Sequence, residues 1–243
     1  MPDFKLISAD SHVNEPPAAW ERVQKEYGDR APRVAKDPPG VPKGIWLVID
    51  GLPPVGLSHY SKGLAVEKTK GISEVDQEKH FETIRFNETF RYEDYPGGWE
   101  PTARLKDQGT DGVDAEVLFS SAARQLYSIT DEPYQRAIFR SYNEWLAEFC
   151  SVDRKRLIGL ALLPILDMDH TVEDIQHYAK LGFRGVQLPT RIKDSGYYES
   201  VYEPMWATLE APTTPRKIST NSRQASILGE TFFSPTKTTA PVC

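Results

Sequence analysis

Short apolar runs alternate with apolar stripes at helical spacing through most of this chain. Phe4 to Ala9 is the first run, and Asp10-Ser11-His12 follows directly, placing an Asp-x-His pair where a short strand ends and a loop begins. Trp99 to Gln108 predicts a short helix, ended by Gly109 and Asp111-Gly112, which leads into the apolar run Val113 to Phe119. Asp131 to Cys150 predicts the longest helix. Tyr134, Ala137, Ile138, Tyr142, Trp145, Leu146 and Phe149 form its stripe, and Thr130 or Asp131 is placed to cap it ahead of Pro133. Leu157 to Leu163 is an aliphatic run stopped by Pro164. A helix on Val172, Ile175, Tyr178 and Leu181 follows over Thr171 to Leu181, with Gly182 as its stop. Phe183 to Leu188 predicts a further strand and Val201 to Leu209 a last helix. These make four successive βα units, and their strands pair in parallel because each crossover helix returns the chain to the same end of the sheet.

Residues 17–98 interrupt this alternation at a length no ordinary loop reaches. Ile45-Trp46-Leu47-Val48-Ile49 with Asp50-Gly51 predicts a strand and a hairpin turn, and Pro53-Pro54 limits how far the return strand pairs. The hairpin is expected over the face where βα folds carry their chemistry. His59, Tyr60 and Arg85 of this insertion are within its reach, each equally readable as a surface or packing residue.

Charge divides the chain. The formal net charge of -6 is acidic over residues 1–210, while 211–243 hold one acidic and four basic side chains. The first part reads as one domain, with a surface that offers no general attraction to nucleic acid or to an anionic membrane. The second is rich in Thr, Ser and Pro, lacks an apolar period beyond Ile227-Leu228 and Phe232-Phe233, and is expected to be mostly disordered. No run of about 18 apolar residues and no basic-flanked hydrophobic leader occurs, so the cytoplasm is the expected location. Cys150 and Cys243 make no disulfide framework, and Cys150 reads as a core residue.

Residues i and i+2 of a strand share a face about 7 Å apart, so the Asp10 carboxylate and the His12 imidazole can converge on one divalent ion. Alone, the pair reads equally well as a turn and a surface histidine. Four segments carry more. Ile7-Ser8-Ala9-Asp10-Ser11-His12-Val13-Asn14-Glu15-Pro16, the hairpin Trp46 to Gly51, Asp111-Gly112-Val113-Asp114-Ala115-Glu116-Val117-Leu118 and Gly182-Phe183-Arg184-Gly185-Val186-Gln187-Leu188-Pro189 together resemble the amidohydrolase-related family. That family comprises metal-dependent hydrolases and decarboxylases of the (β/α)8 barrel fold, including decarboxylases of aminocarboxymuconate semialdehyde and hydroxybenzoates. The resemblance implies that Asp10 and His12 are first-strand ligands of Zn or Mn. It also implies that a metal-bound water acts on a small carbonyl, ester or carboxylate substrate, or alternatively that the substrate is decarboxylated.

The resemblance covers residues 4 to 210. The family completes its site with one or two histidines and an aspartate from the second half of the barrel, and Ala211 to Cys243 contains neither residue type. The chain therefore reads as cut short after Glu210, by alternative splicing, a frameshifted gene model or an early stop. A full barrel takes about 250 residues and eight strands, so the expected fold is an incomplete TIM-type barrel of roughly four βα units. Its apolar edge at Phe183 to Leu188 invites self-association, and a catalytically inactive fragment acting through that edge is the third functional reading. His59, His80, His170 and His177 are the remaining candidate ligands, His170 lying with Asp167 and Asp169 after the third strand, where Asp169 and Thr171 also suit a helix cap. Glu15 is a candidate to orient His12. Ser120, Ser121, Arg124, Gln187 and Arg191, at strand C-termini, are candidate contacts to a small-molecule substrate, with arginine suited to a carboxylate.

Overall fold

A computed structural model describes residues 5–57, 91–190, 192 and 196–211, the side chains of Tyr92, Ala123 and Arg124 standing outside that description. In chain order its elements are β1 (Ile7–Val13), α1 (Glu21–Tyr27), β2 (Arg33–Lys36), β3 (Ile45–Val48), β4 (Val55–Gly56), α2 (Pro101–Asp111) and β5 (Ala115–Ser120). They continue with α3 (Ala123–Leu126), α4 (Glu132–Ser151), β6 (Leu157–Gly159), β7 (Ala161–Leu162), α5 (Met168–Leu181), β8 (Val186–Gln187) and α6 (Glu203–Glu210).

The four predicted strands are present and parallel. β1 pairs with β5, β5 with β6, and β7 with β8. β6 and β7 are one run of chain. Leu160 between them donates its N–H to Leu118 at 3.1 Å, and Ala161 and Leu163 donate to Gly185 and Gln187 at 3.2 and 3.3 Å. The run thus pairs with β5 through its first half and with β8 through its second, in the order expected of consecutive right-handed βα units.

α4 is the central helix of the core. Tyr134, Ile138, Phe139, Tyr142, Leu146 and Phe149 on its stripe are buried with Leu157, Ala161, Leu162 and Val186 of the strands and Trp20 from the chain before α1. Its start agrees with the sequence, the Asp131 carboxylate accepting the Tyr134 N–H. Two other boundaries differ. α2 passes through Gly109 and stops only where Gly112 takes a left-handed conformation at φ 71°, while the Glu100 carboxylate caps its start ahead of Pro101. α5 begins at Met168 because Asp167, and not Asp169 or Thr171, accepts the His170 N–H at 2.9 Å. The Thr171 hydroxyl instead donates to the Pro164 carbonyl at 2.6 Å. Tyr178 and Ile175 of α5 pack on the same core, and Gly182 at φ 95° ends the helix as predicted.

The insertion holds a three-stranded antiparallel meander, β2-β3-β4, where the sequence suggested a hairpin. Asp50-Gly51 makes the turn, with Leu52 N–H on the Ile49 carbonyl at 3.2 Å and Gly51 at φ 74°. Pro53-Pro54 then shortens the return strand to two residues. Leu47 and Ile49 join the main core. Arg30, just before β2, bonds Asp50 at 2.9 Å and Asp131 at 3.3 Å, and the Tyr134 hydroxyl donates to the Arg30 carbonyl. The meander is thereby held against the N-terminal end of α4, on the C-terminal side of the sheet.

Candidate metal centre

The first strand runs from Ile7 to Val13, further than the apolar run Phe4 to Ala9 predicts, so Asp10 and His12 lie inside it rather than at its end. Val13 pairs opposite Ser120, which extends β1 to the full length of β5. The pairing contains a shift. Ser8 stands opposite Glu116 and Ser11 opposite Leu118, so three steps along β1 match two along β5. A one-residue slip moves every later side chain to the other face of a sheet. Ser8 and Ser11 consequently share the face of Glu116, their hydroxyls 2.7 Å apart, and Asp10 and His12 move to the face of Phe119.

On that face the Asp10 Oδ1 and His12 Nε2 are 3.4 Å apart. The His12 ring leans on Phe119, with ring centroids 5.8 Å apart, and Phe119 is buried with Val117 and Leu160. Both polar side chains remain open, His12 half exposed and Asp10 largely so. Two ligands about 2.1 Å from one ion in tetrahedral arrangement stand about 3.4 Å apart, and a carboxylate with an imidazole is a donor set that zinc and manganese accept. The pair therefore fits two positions of such an ion. Among the described residues no group of three or more His, Cys, Asp or Glu side chains is gathered for a metal.

A polar network holds the opposite face of β1. Glu116, mostly buried, accepts from Arg104 Nε at 2.6 Å and Nη2 at 3.2 Å, from Gln108 at 2.6 Å and from the Ser11 hydroxyl at 3.1 Å. Burial works against the charged carboxylate, but the bonds from Arg104, Gln108 and Ser11 outweigh it and leave the Glu116 acid stronger than usual. The remaining nitrogen of Arg104, Nη1, donates to the His12 carbonyl at 3.1 Å and the Gly97 carbonyl at 3.2 Å. One residue pair on, Asn14 N–H donates to the Gly98 carbonyl at 2.8 Å.

Other candidates are placed elsewhere. Glu15 is fully buried beyond the end of β1, its Oε1 accepting from the Ser120 hydroxyl at 2.6 Å and the Ala122 N–H at 3.1 Å, so these contacts hold the β5 end rather than the His12 ring. Burial raises its pKa. Ser121 donates to the Val13 carbonyl at 2.8 Å, and the Gln187 side chain accepts the Ser120 N–H at 3.1 Å. Ser120, Ser121 and Gln187 thus tie strand ends together. His170 lies in the first turn of α5 and bonds Glu132 of α4 at 2.9 Å, in the helical layer, while His177 approaches Glu144 at 3.9 Å. His59, Tyr60, His80, Arg85, Arg191, Cys243 and the tail from Pro212 lie outside the described residues, as does the Arg124 side chain.

Arg104, Glu116 and Tyr127 were not singled out by sequence. Tyr127 is half-buried where β7 and β8 end, its hydroxyl accepting the Leu163 N–H at 3.1 Å and lying within bonding distance of the Leu163 and Gln187 carbonyls. Only the i, i+4 spacing of Arg104 and Gln108 on α2 hints that both reach one acceptor.

A family model described as amidohydrolase matches residues 9–229, a span that continues past Glu210. The 2-amino-3-carboxymuconate-6-semialdehyde decarboxylase of Dictyostelium discoideum is 26% identical over 96 residues, covering 39% of this chain and 26% of that protein. A crystal structure of an amidohydrolase from Mycobacterium avium subsp. paratuberculosis superposes with a TM-score of 0.62 at 18% identity, covering 86% of this chain and 57% of that one, a likeness of fold. A 5-carboxyvanillate decarboxylase from Novosphingobium aromaticivorans, solved with manganese, has a TM-score of 0.46 at 14% identity, over 85% of this chain and 47% of that one. The chain spans about half the length of these solved structures.

Proposed function

The chain belongs to the amidohydrolase family, and on that footing we propose that Asp10 and His12 are two ligands of a divalent ion, zinc or manganese, in an enzyme that hydrolyses a small carbonyl, ester or carboxylate substrate. The observation that carries this reading is the 3.4 Å approach of Asp10 Oδ1 to His12 Nε2 on an open face of the sheet. When bound, a divalent ion there supplies Lewis acidity, making water a nucleophile near neutral pH or polarising a substrate carboxylate. Phe119 keeps the His12 imidazole turned toward Asp10, and the anionic Asp10 offsets the ion's charge. Arg124, which follows β5 in the sequence, and Arg191, which follows β8, are the candidates for a substrate carboxylate, since a guanidinium can hold one in bidentate fashion.

In this reading the four described βα units are the first half of a (β/α)8 barrel, with 17–98 as an insertion at its mouth and 211–243 as a tail outside it. A second reading, decarboxylation, is favoured by the resemblance to the Dictyostelium decarboxylase.

The test is metal uptake followed by product analysis. Chelator-treated protein titrated with Mn²⁺ and followed by electron paramagnetic resonance and elemental analysis is expected to take up one ion, and Asp10→Ala or His12→Ala is expected to abolish this. No uptake above background, or unchanged uptake in both variants, overturns the assignment. Release of carbon dioxide from aromatic and semialdehyde carboxylates, against acid release from esters, separates the two reactions.

A further inference from the structure

We infer that Arg104 is the positioning residue for His12, locking the register shift that turns the Asp10–His12 pair to its open face. This rests on the metal-site reading above and goes beyond it to a residue on the other side of the strand. Residues of β1 opposite Leu118 and Ser120, namely Ser11 and Val13, direct their backbone groups toward β5. The His12 carbonyl and the Asn14 N–H therefore lie on the other edge of β1, where no strand pairs among the described residues. Arg104 Nη1 occupies the first of these groups and the Gly98 carbonyl the second.

The same guanidinium fixes the shift itself. Its Nε and Nη2 hold Glu116, and Glu116 holds the Ser11 hydroxyl, which bonds Ser8. Only with the extra residue accommodated between Ser8 and Ser11 do both serines face Glu116. Without it, strict alternation from Ser8 would carry His12 to the helix side of the sheet, away from Phe119. One side chain thus anchors the strand on both sides of Asp10. Helix α2 presents it rigidly: Glu100 caps that helix, and Arg104 and Gln108, four residues apart, approach Glu116 together.

The test compares Arg104→Gln and Arg104→Lys with Arg136→Gln, which removes a guanidinium from the buried carboxylate Asp174 in the helical layer. In Arg104→Gln, Mn²⁺ affinity is expected to fall about 10- to 100-fold, as when a group supporting a ligand is lost, and amide exchange across His12 to Asn14 to accelerate. Arg104→Lys, which keeps the charge without the fork, is expected to fall between. Arg136→Gln is expected to lower Tm without moving either readout. Wild-type Mn²⁺ affinity in a folded Arg104→Gln, or unchanged exchange at His12 to Asn14, overturns the inference, and exchange decides the matter even if wild-type protein takes up no metal. Should Arg104→Gln fail to fold, the lysine variant carries the same two measurements.

Discussion

Asn143 on α4 takes both backbone groups of Leu162, its Nδ2 donating to the Leu162 carbonyl at 2.9 Å and its Oδ1 accepting the Leu162 N–H at 2.8 Å. The cause lies in the sheet. Leu160 points its N–H at β5, and Leu162, two residues on, points the same way. β5 has ended by then, its last partner on this side being Gly159 opposite Leu118. A helix side chain therefore completes the strand's hydrogen bonding in the buried core.

Asn143→Leu is expected to lose about 2–6 kcal/mol of stability, because two buried backbone groups are left without partners at about 1–3 kcal/mol each. Urea denaturation followed by circular dichroism gives the value. A loss below about 1 kcal/mol would mean that water or the neighbouring strand replaces the amide.

The order of the βα units and the stripe of α4 were legible because both are periodic apolar patterns, and Asp131, Gly182 and Gly51 were legible because capping and turn chemistry is local. The rest was hidden for physical reasons. The buried face of α2 is polar, with Gln108 its one fully buried side chain, so a search for an apolar stripe sees no inward face. The shift between Ser8 and Ser11 depends on pairing with a strand about a hundred residues away and leaves no mark in the local pattern. The Asp10–His12 pair was legible as a convergence but not as to its face. Glu15 reads as a loop residue beside two prolines, and only the return of Ser120 and Ala122 in space buries it.

Glu15 makes the protein less stable as pH rises. Its folded pKa is raised by burial above the ordinary 4.5, the bonds from Ser120 and Ala122 only partly opposing this. Between the unfolded and folded values the folded state holds more protons, so stability falls with increasing pH through that window. Glu15→Gln keeps an oxygen for Ser120 and Ala122 and removes the charge. Its stability relative to wild type is expected to improve as pH rises from the ordinary 4.5 through that window and to level off above the folded value, measured by urea denaturation at each pH. A constant difference across pH would remove burial of a charge as the explanation.

Gly97 and Gly98 lie against β1 and α2 and respond differently to a methyl group. A Cβ at Gly98 would stand 2.5 Å from Asn14 Nδ2 and about as close to the root of that side chain, at 3.0 Å from Cγ and 3.1 Å from Cβ. At Gly97 it would meet chiefly the carboxylate tip of Asp107, which can swing into water. Gly98→Ala is expected to cost about 1–3 kcal/mol, as overpacking does, and to loosen the Asn14 contact with residue 98, while Gly97→Ala costs less. Thermal melts of the two variants give the order, and a larger loss at Gly97 would contradict it.

Asp174 joins α4 to α5 and should be the most sensitive ion pair in the helical layer. It is fully buried, bonded to Arg136 Nε at 2.9 Å and to Arg140 Nη2 at 2.6 Å. The two arginines are not equivalent. Arg136 is 14% exposed and also holds Glu173 at 2.8 Å, whereas Arg140 is 43% exposed and reaches water. Burial alone would weaken the Arg136 base, but its bonds to Asp174 and Glu173 outweigh that and raise its pKa. Removing one member of a buried pair costs about 3–5 kcal/mol, because the other charge stays behind. Asp174→Ala is expected to fall in that range, Arg136→Met to approach it and Arg140→Met to lose less, because Arg136 still pairs the carboxylate and Arg140 itself reaches water. Urea denaturation of the three variants gives the order. Equal losses for the two arginines would show that Asp174 draws its stabilisation from both alike, and that the difference in exposure does not decide which contact matters.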